Sequence, residues 1–121
     1  MLNSCVFHGR LASDPELKKL NDDTPYCKFS LAVNRLSDKE CDFIPCIAWR
    51  QLAETISMYL HKGKEVIVKG QLRTHSYEDS NRIKRKTFSI ELDSFDFITN
   101  VIVKAKEEAS ETIESYEKAS F

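Results

Sequence analysis

A chain of 121 residues has the length of one domain, and 41% hydrophobic with 31% charged residues supplies a core and excludes disorder throughout. Three glycines and three prolines are too few for a linker-bearing chain, and no apolar run approaches the ~18 residues of a membrane helix. Eighteen basic against 19 acidic side chains leave a net charge of -1, so no overall positive field points to a nucleic acid or a membrane surface. The opening Met1-Leu2-Asn3-Ser4 has no basic segment followed by an apolar one, so no secretory signal is expected and the cytoplasm is the default location. Four scattered cysteines, Cys5, Cys27, Cys41 and Cys46, form no CxxC and read as free, largely buried thiols.

Leu2 to Leu11 reads as a first strand, stopped before Ser13-Asp14-Pro15. After the turn cluster Asn21-Asp22-Asp23-Thr24-Pro25, the segment Tyr26 to Asn34 alternates. Cys27, Phe29, Leu31 and Val33 take one face, and Lys28, Ser30, Ala32 and Asn34 the other. A polar loop through Ser37-Asp38-Lys39-Glu40 leads to a third strand, Phe43 to Trp49, in which Pro45 points to an edge or a bulge. The period then lengthens: Leu52, Ile56, Tyr59 and Leu60 mark the buried face of a short helix ending near Lys62-Gly63. Alternation returns from Glu65, with Val66, Val68, Gly70, Leu72 and Thr74 opposed to Ile67, Lys69, Gln71, Arg73, His75 and Tyr77. A charged loop, Glu78 to Lys86, separates this long strand from a last one, Thr87 to Phe97, whose apolar parity changes near Ser94 as a bulge would require.

Five strands with a helix between the third and fourth are the layout of an all-β OB barrel. Residues 1–103 are expected to form it, and 104–121, with five glutamates and three lysines and no strand pattern, to form a short acidic tail, flexible or partly helical. The fold leaves the ligand open, since such barrels bind nucleic acids, sugars and proteins.

The strand period puts Phe43 and Trp49 on one face, roughly 20 Å apart at about 3.3 Å per residue. Tyr77 ends the next long strand on the face that carries Arg73 and His75. Flat rings beside cations suit single-stranded nucleic acid, where bases stack and phosphates need positive partners; the same rings could instead fill a core or a subunit contact. Arg82, Lys84, Arg85 and Lys86 make the following loop cationic, and Arg10, Arg35 and Arg50 are further phosphate candidates. His8, His61 and His75 fall in no metal-binding spacing, no serine lies in a G-x-S-x-G elbow, and no glycine loop cradles phosphate, so no catalytic, metal or cofactor site is expected.

The runs Leu2-Asn3-Ser4-Cys5-Val6-Phe7-His8-Gly9-Arg10-Leu11, Asp14-Pro15-Glu16-Leu17 and Phe29-Ser30-Leu31-Ala32-Val33-Asn34-Arg35 resemble the bacterial and phage single-stranded DNA-binding (SSB) family. So do Asp42-Phe43-Ile44, Trp49-Arg50, Leu52-Ala53-Glu54, Tyr59 to Lys64 and Val68 to Tyr77, in order over about residues 1–100. The resemblance implies an OB subunit, usually a homotetramer, that wraps single-stranded DNA without sequence preference and performs no catalysis. It places the family's stacking aromatics on Phe43, Trp49 and Tyr77, and a fourth that is often present on Leu36, where no ring stands. The family's long linker is absent and its acidic tip is dispersed over Glu107, Glu108, Glu111, Glu114 and Glu117. Only Phe121 remains at the end, as a weak candidate for contact with replication or recombination proteins.

Three other readings stand beside this one: an RNA-binding or recombination-accessory OB protein, a metal-dependent nuclease built on Asp42, Glu65 or Glu78, and a purely oligomer-forming module. Splitting the charge removes its apparent objection to a nucleic-acid partner. Residues 1–103 hold 15 basic and 14 acidic side chains, and residues 104–121 hold 3 and 5, so placement decides and stacking is expected to carry a large share of affinity.

Overall fold

The structure is a computed structural model that describes residues 1–37 and 39–97. Its elements are β1 (Cys5–Leu11), β2 (Glu16–Lys19), β3 (Pro25–Asn34), β4 (Cys41–Trp49), α1 (Arg50–Tyr59), β5 (Glu65–Glu78) and β6 (Lys84–Phe97). The five expected strands are β1, β3, β4, β5 and β6. The sheet runs β1-β5-β6-β4-β3-β2, and a further β1–β3 pairing, Arg10↔Ala32 and Leu11↔Leu31, closes five of its strands into a ring. The expected tail, 104–121, and with it Phe121, lies outside the described residues.

β2 is an addition to the sequence reading. All four of its side chains are exposed, so it has no buried alternation to betray it, and it exists as an edge strand paired only with β3. The first strand begins later than expected, at Cys5. Asn3 continues its course by side chain, donating Nδ2 to the Leu72 carbonyl (2.9 Å) and accepting the Leu72 N–H on Oδ1 (3.0 Å).

One cluster of apolar residues fills the ring: Leu11 from β1, Cys27, Phe29 and Leu31 from β3, Cys46 and Ala48 from β4, Val66 and Val68 from β5, Ile90 and Leu92 from β6. Helix α1 covers it through Ala53, Ile56 and the following Leu60. Tyr59, placed by its spacing on the buried face, is exposed instead. Ala53, too small to mark a period, takes the central position. The helix stops at Tyr59, Gly63 turns the chain at φ 88°, and its N–H reaches the Leu11 carbonyl (2.8 Å), tying the end of β1 to the start of β5.

The bulge expected in the last strand is present, whereas Pro45 marks neither an edge strand nor a bulge: β4 lies between β6 and β3, in unbroken register with β3. In the β5–β6 ladder Lys69 faces Ser94 and Gly70 faces Leu92, so Asp93 is the extra residue of a bulge, one position from the expected Ser94. The bulge lets both Ile90–Leu92 and Phe95–Phe97 face the core despite their opposite parity. Pro45 opposes Ser30 of β3 but has no partner in β6, whose parallel contact with β4 covers only Cys46↔Ile90 and Ile47↔Glu91. A missing N–H is tolerated there.

Cys27 and Cys46 belong to the core, and burial pushes both thiols up, that of Cys46 to about 12. Cys5 and Cys41 are half-buried, and all four are free. Because the thiolate is the reactive form, a native sample at pH 8 is expected to show two fast-reacting thiols per chain and two that react only on unfolding. Four fast thiols would contradict the packed core.

Candidate nucleic-acid interface

Residues that alternate away from the core form the outer face of β3 and β4. The register sets Tyr26 beside Trp49, Lys28 beside Ile47, Ser30 beside Pro45 and Ala32 beside Phe43. Beyond Leu72 and Ile90 the long β5–β6 hairpin runs past the core as an arm, its residues mostly exposed. Between this arm and the β3–β4 face lies an open groove of about 710 Å³, bordered by Tyr26, Lys28, Trp49, His75, Tyr77 and Phe88 among others. A hydrogen-bond contact between His75 Nε2 and Ser89 Oγ (3.1 Å) ties the two strands of the arm together at the groove.

Two of the three expected aromatics therefore meet across one concavity. Trp49 ends β4, and the chain passes at once into α1 because Arg50 adopts the left-handed φ of 56°, an uncommon conformation outside glycine. Its ring lies against Tyr26, with centroids 5.4 Å apart and planes at 37°. Tyr77 stands on the arm, half exposed. Phe43 shares the outward face of β4 and is 64% exposed, but it lies at the other end of the strand and does not border the groove. Leu36 is fully exposed in the turn after β3.

The cations divide by their partners. Arg35 donates Nη2 and Nε to Asp42 (2.9 and 3.1 Å) and Nη1 to Glu40, which holds the Asp42 carboxyl below the usual carboxylate range and raises the guanidinium. Arg73 donates Nε to Glu91 (3.2 Å), Arg10 lies 3.8 Å from Glu65, and Arg85 donates Nε to Asp79 (2.7 Å). That last bond, joined by the N–H groups of Ile83 and Asn81, keeps the Asp79 carboxyl ionised and organises the hairpin tip. Among the described residues no carboxylate lies within 4.0 Å of the side-chain nitrogens of Lys28, Arg50, Arg82, Lys84 or Lys86. These pairs are exposed to water, which screens them, so a phosphate can compete for them.

The basic loop is also shorter than its sequence suggests. Lys84, Arg85 and Lys86 are strand residues opposite Glu78, Tyr77 and Ser76, and only 79–83 form the turn, with Arg82 at φ 59°. These cations are thus held beside Tyr77 by the ladder rather than on a loose loop. Sequence reasoning missed Tyr26, Lys28 and Phe88 as groove residues. The parity of β3 already put Tyr26 with Lys28, but nothing local showed that the arm would face them. Among the described residues no three His, Cys, Asp or Glu side chains converge on a metal position, and no helix is long and apolar enough to cross a membrane.

The model of the single-strand binding protein family matches residues 2–98. A single-stranded DNA-binding protein of Clostridium perfringens is 44% identical over 99 residues, 80% of this chain and 66% of that protein. Single-stranded DNA-binding protein A of Bacillus subtilis is 36% identical over 103 residues, 81% of this chain and 60% of the relative. Single-stranded DNA-binding protein 2 of Clostridium acetobutylicum is also 36% identical, over 80% of this chain and 77% of its own. The chain spans about half to two thirds of the length of several such relatives. A match through β1 to β6, at this identity and over this arrangement of strands, means that the chain belongs to the single-strand binding protein family.

Proposed function

We propose that the protein binds single-stranded DNA without sequence preference and shields it during replication, recombination or repair, acting as a binding protein and not as an enzyme. The observation that carries the reading is the groove in which Trp49 and Tyr77 face one ligand path from opposite walls. Exposed bases stack on such rings whatever their identity, because every base has a π-face. Phe43 extends the stacking surface along β4, and Arg50, Arg82, Lys84 and Lys86 contact phosphates directly. Arg10, Arg35, Arg73 and Arg85 do so by exchanging a carboxylate partner for a phosphate. The names of the relatives, all single-stranded DNA-binding proteins, support this choice of ligand.

The protein works in the cytoplasm as a homotetramer whose OB domain is 1–103, with the acidic tail 104–121 and Phe121 as a contact for replication or recombination proteins. Assembly is supported by β1, where Cys5 to Gly9 pair only with β5 among the described residues and Val6 is exposed. Titrating labelled oligo-dT against the protein at several salt concentrations, with an equal-length RNA as competitor, tests the ligand. DNA is expected to bind more tightly, and affinity to fall with a slope of about -0.7 per phosphate neutralised. Preference for RNA, or no binding, would overturn the reading.

A further inference from the structure

Tyr26 and Lys28 belong to no part of the site that the sequence singled out, yet both border the groove. We propose that they form an additional nucleotide-binding position on β3, Tyr26 stacking a base and Lys28 holding the adjoining phosphate. This replaces the platform that Leu36 does not provide. The inference rests on the single-stranded DNA reading and specifies the path of the strand within it.

Tyr26 and Trp49 are direct cross-strand partners, and their centroid spacing of 5.4 Å is too short to admit a base between the rings. The two rings form a continuous tilted surface, on which successive bases can lie side by side. The Lys28 ammonium stands 6.0 Å from the Tyr26 centroid; Glu16 is its cross-strand partner in β2 but pairs with Lys18, and no carboxylate lies within 4.0 Å of Lys28 among the described residues, so it is available to a phosphate beside that ring. Beyond this pair the surface changes character. A second hollow, of about 300 Å³, is bordered by Tyr26 and Lys28 on one side and by Asp14 and Glu16 on the other, and Lys18 there is engaged with Glu16 at 3.8 Å. The charges of that hollow balance, Asp14 and Glu16 against Lys18 and Lys28, so nothing draws a phosphate chain further, and the strand leaves the surface at Tyr26 and Lys28. Leu36 lies in the turn past the opposite end of β3, ten residues away, and the stretch of β3 from Tyr26 to Asn34 alone spans roughly 26 Å at about 3.3 Å per residue. The aromatic surface has therefore moved from one end of β3 to the other, and the strand is drawn into the groove under the arm.

The competing role for Tyr26 is to buttress Trp49, and a double-mutant cycle separates the two. Anisotropy of a labelled oligo-dT would be measured with the full chain, with Tyr26→Leu and Tyr26→Phe, each also in a Trp49→Leu background, and with Lys28→Gln. Tyr26→Leu is expected to weaken binding about tenfold in both backgrounds and Tyr26→Phe to restore most of it. Lys28→Gln should flatten the salt slope by about 0.7. Photocrosslinking of a 5-bromodeoxyuridine oligonucleotide should label the peptide containing Tyr26. Wild-type binding by Tyr26→Leu, or a loss that disappears in the Trp49→Leu background, would overturn the proposal while leaving the function standing. Failure of the unmodified protein to bind oligo-dT would overturn both.

Discussion

Replacing Trp49 by leucine is expected to weaken binding of oligo-dT by about 1–3 kcal/mol, roughly fivefold to 150-fold, with the fold retained. Trp49 is the single tryptophan of the chain and stands where β4, α1 and β3 converge, so its ring is fixed before any ligand arrives. A platform that is already ordered loses little conformational freedom on binding. The alternative source of affinity is weak here, because the domain is close to neutral and four of its expected phosphate ligands, Arg10, Arg35, Arg73 and Arg85, lie beside carboxylates. Leucine still packs against Tyr26, and the site is only half-buried, so thermal unfolding should move little. Anisotropy and a melting curve on the same sample separate the two effects. Unchanged affinity would place the DNA elsewhere.

The second large effect concerns the frame that holds the groove open. At Gly70 an added Cβ would come within 2.2 Å of the Glu91 carbonyl oxygen and 2.9 Å of the Leu92 Cα, both backbone atoms that no side-chain rotation can move. Gly70 lies beside the bulge, paired with Leu92 on one side and Cys5 on the other, so either neighbour strand can retreat only by opening the ring. Gly70→Ala is expected to cost about 3 kcal/mol or more, the upper end of overpacking effects, and to lower Tm by more than about 10 °C. Gly63→Ala is the control. Its Cβ would meet nothing within 4 Å, so only the left-handed φ of 88° is penalised, at about 1–2 kcal/mol. A Gly70→Ala protein no less stable than Gly63→Ala would show that the strands are not so closely joined.

The elements with strong apolar alternation were legible in the residues. Cys27-Phe29-Leu31 and Val66-Val68-Gly70 each face the core, and the parity change in the last strand became the bulge at Asp93. β2 was not legible, since four exposed side chains carry no period, and its pairing with β3 is a tertiary event. The same limit applies at the site. Trp49 and Tyr77 could be isolated from strand parity and from resemblance to the family. The pairing of Trp49 with Tyr26 depends on the register of two strands, and the facing of Tyr77 on the direction of the arm. Charge was the least legible property. A row of arginines in sequence looks like a phosphate path, while the ion pairs to Asp42, Glu65, Asp79 and Glu91 appear only when the strands are brought together.

In the proposed complex, single-stranded DNA lies in the groove between the β3–β4 face and the β5–β6 arm, held largely by stacking. A fluorescence titration of Trp49 with oligo-dT tests it most directly, because the only tryptophan is itself a proposed platform. Saturable quenching that persists as salt is raised, with a slope shallower than the number of exposed cations alone would give, is the predicted result. Binding without any change in Trp49 emission, or binding abolished by moderate salt, would contradict it.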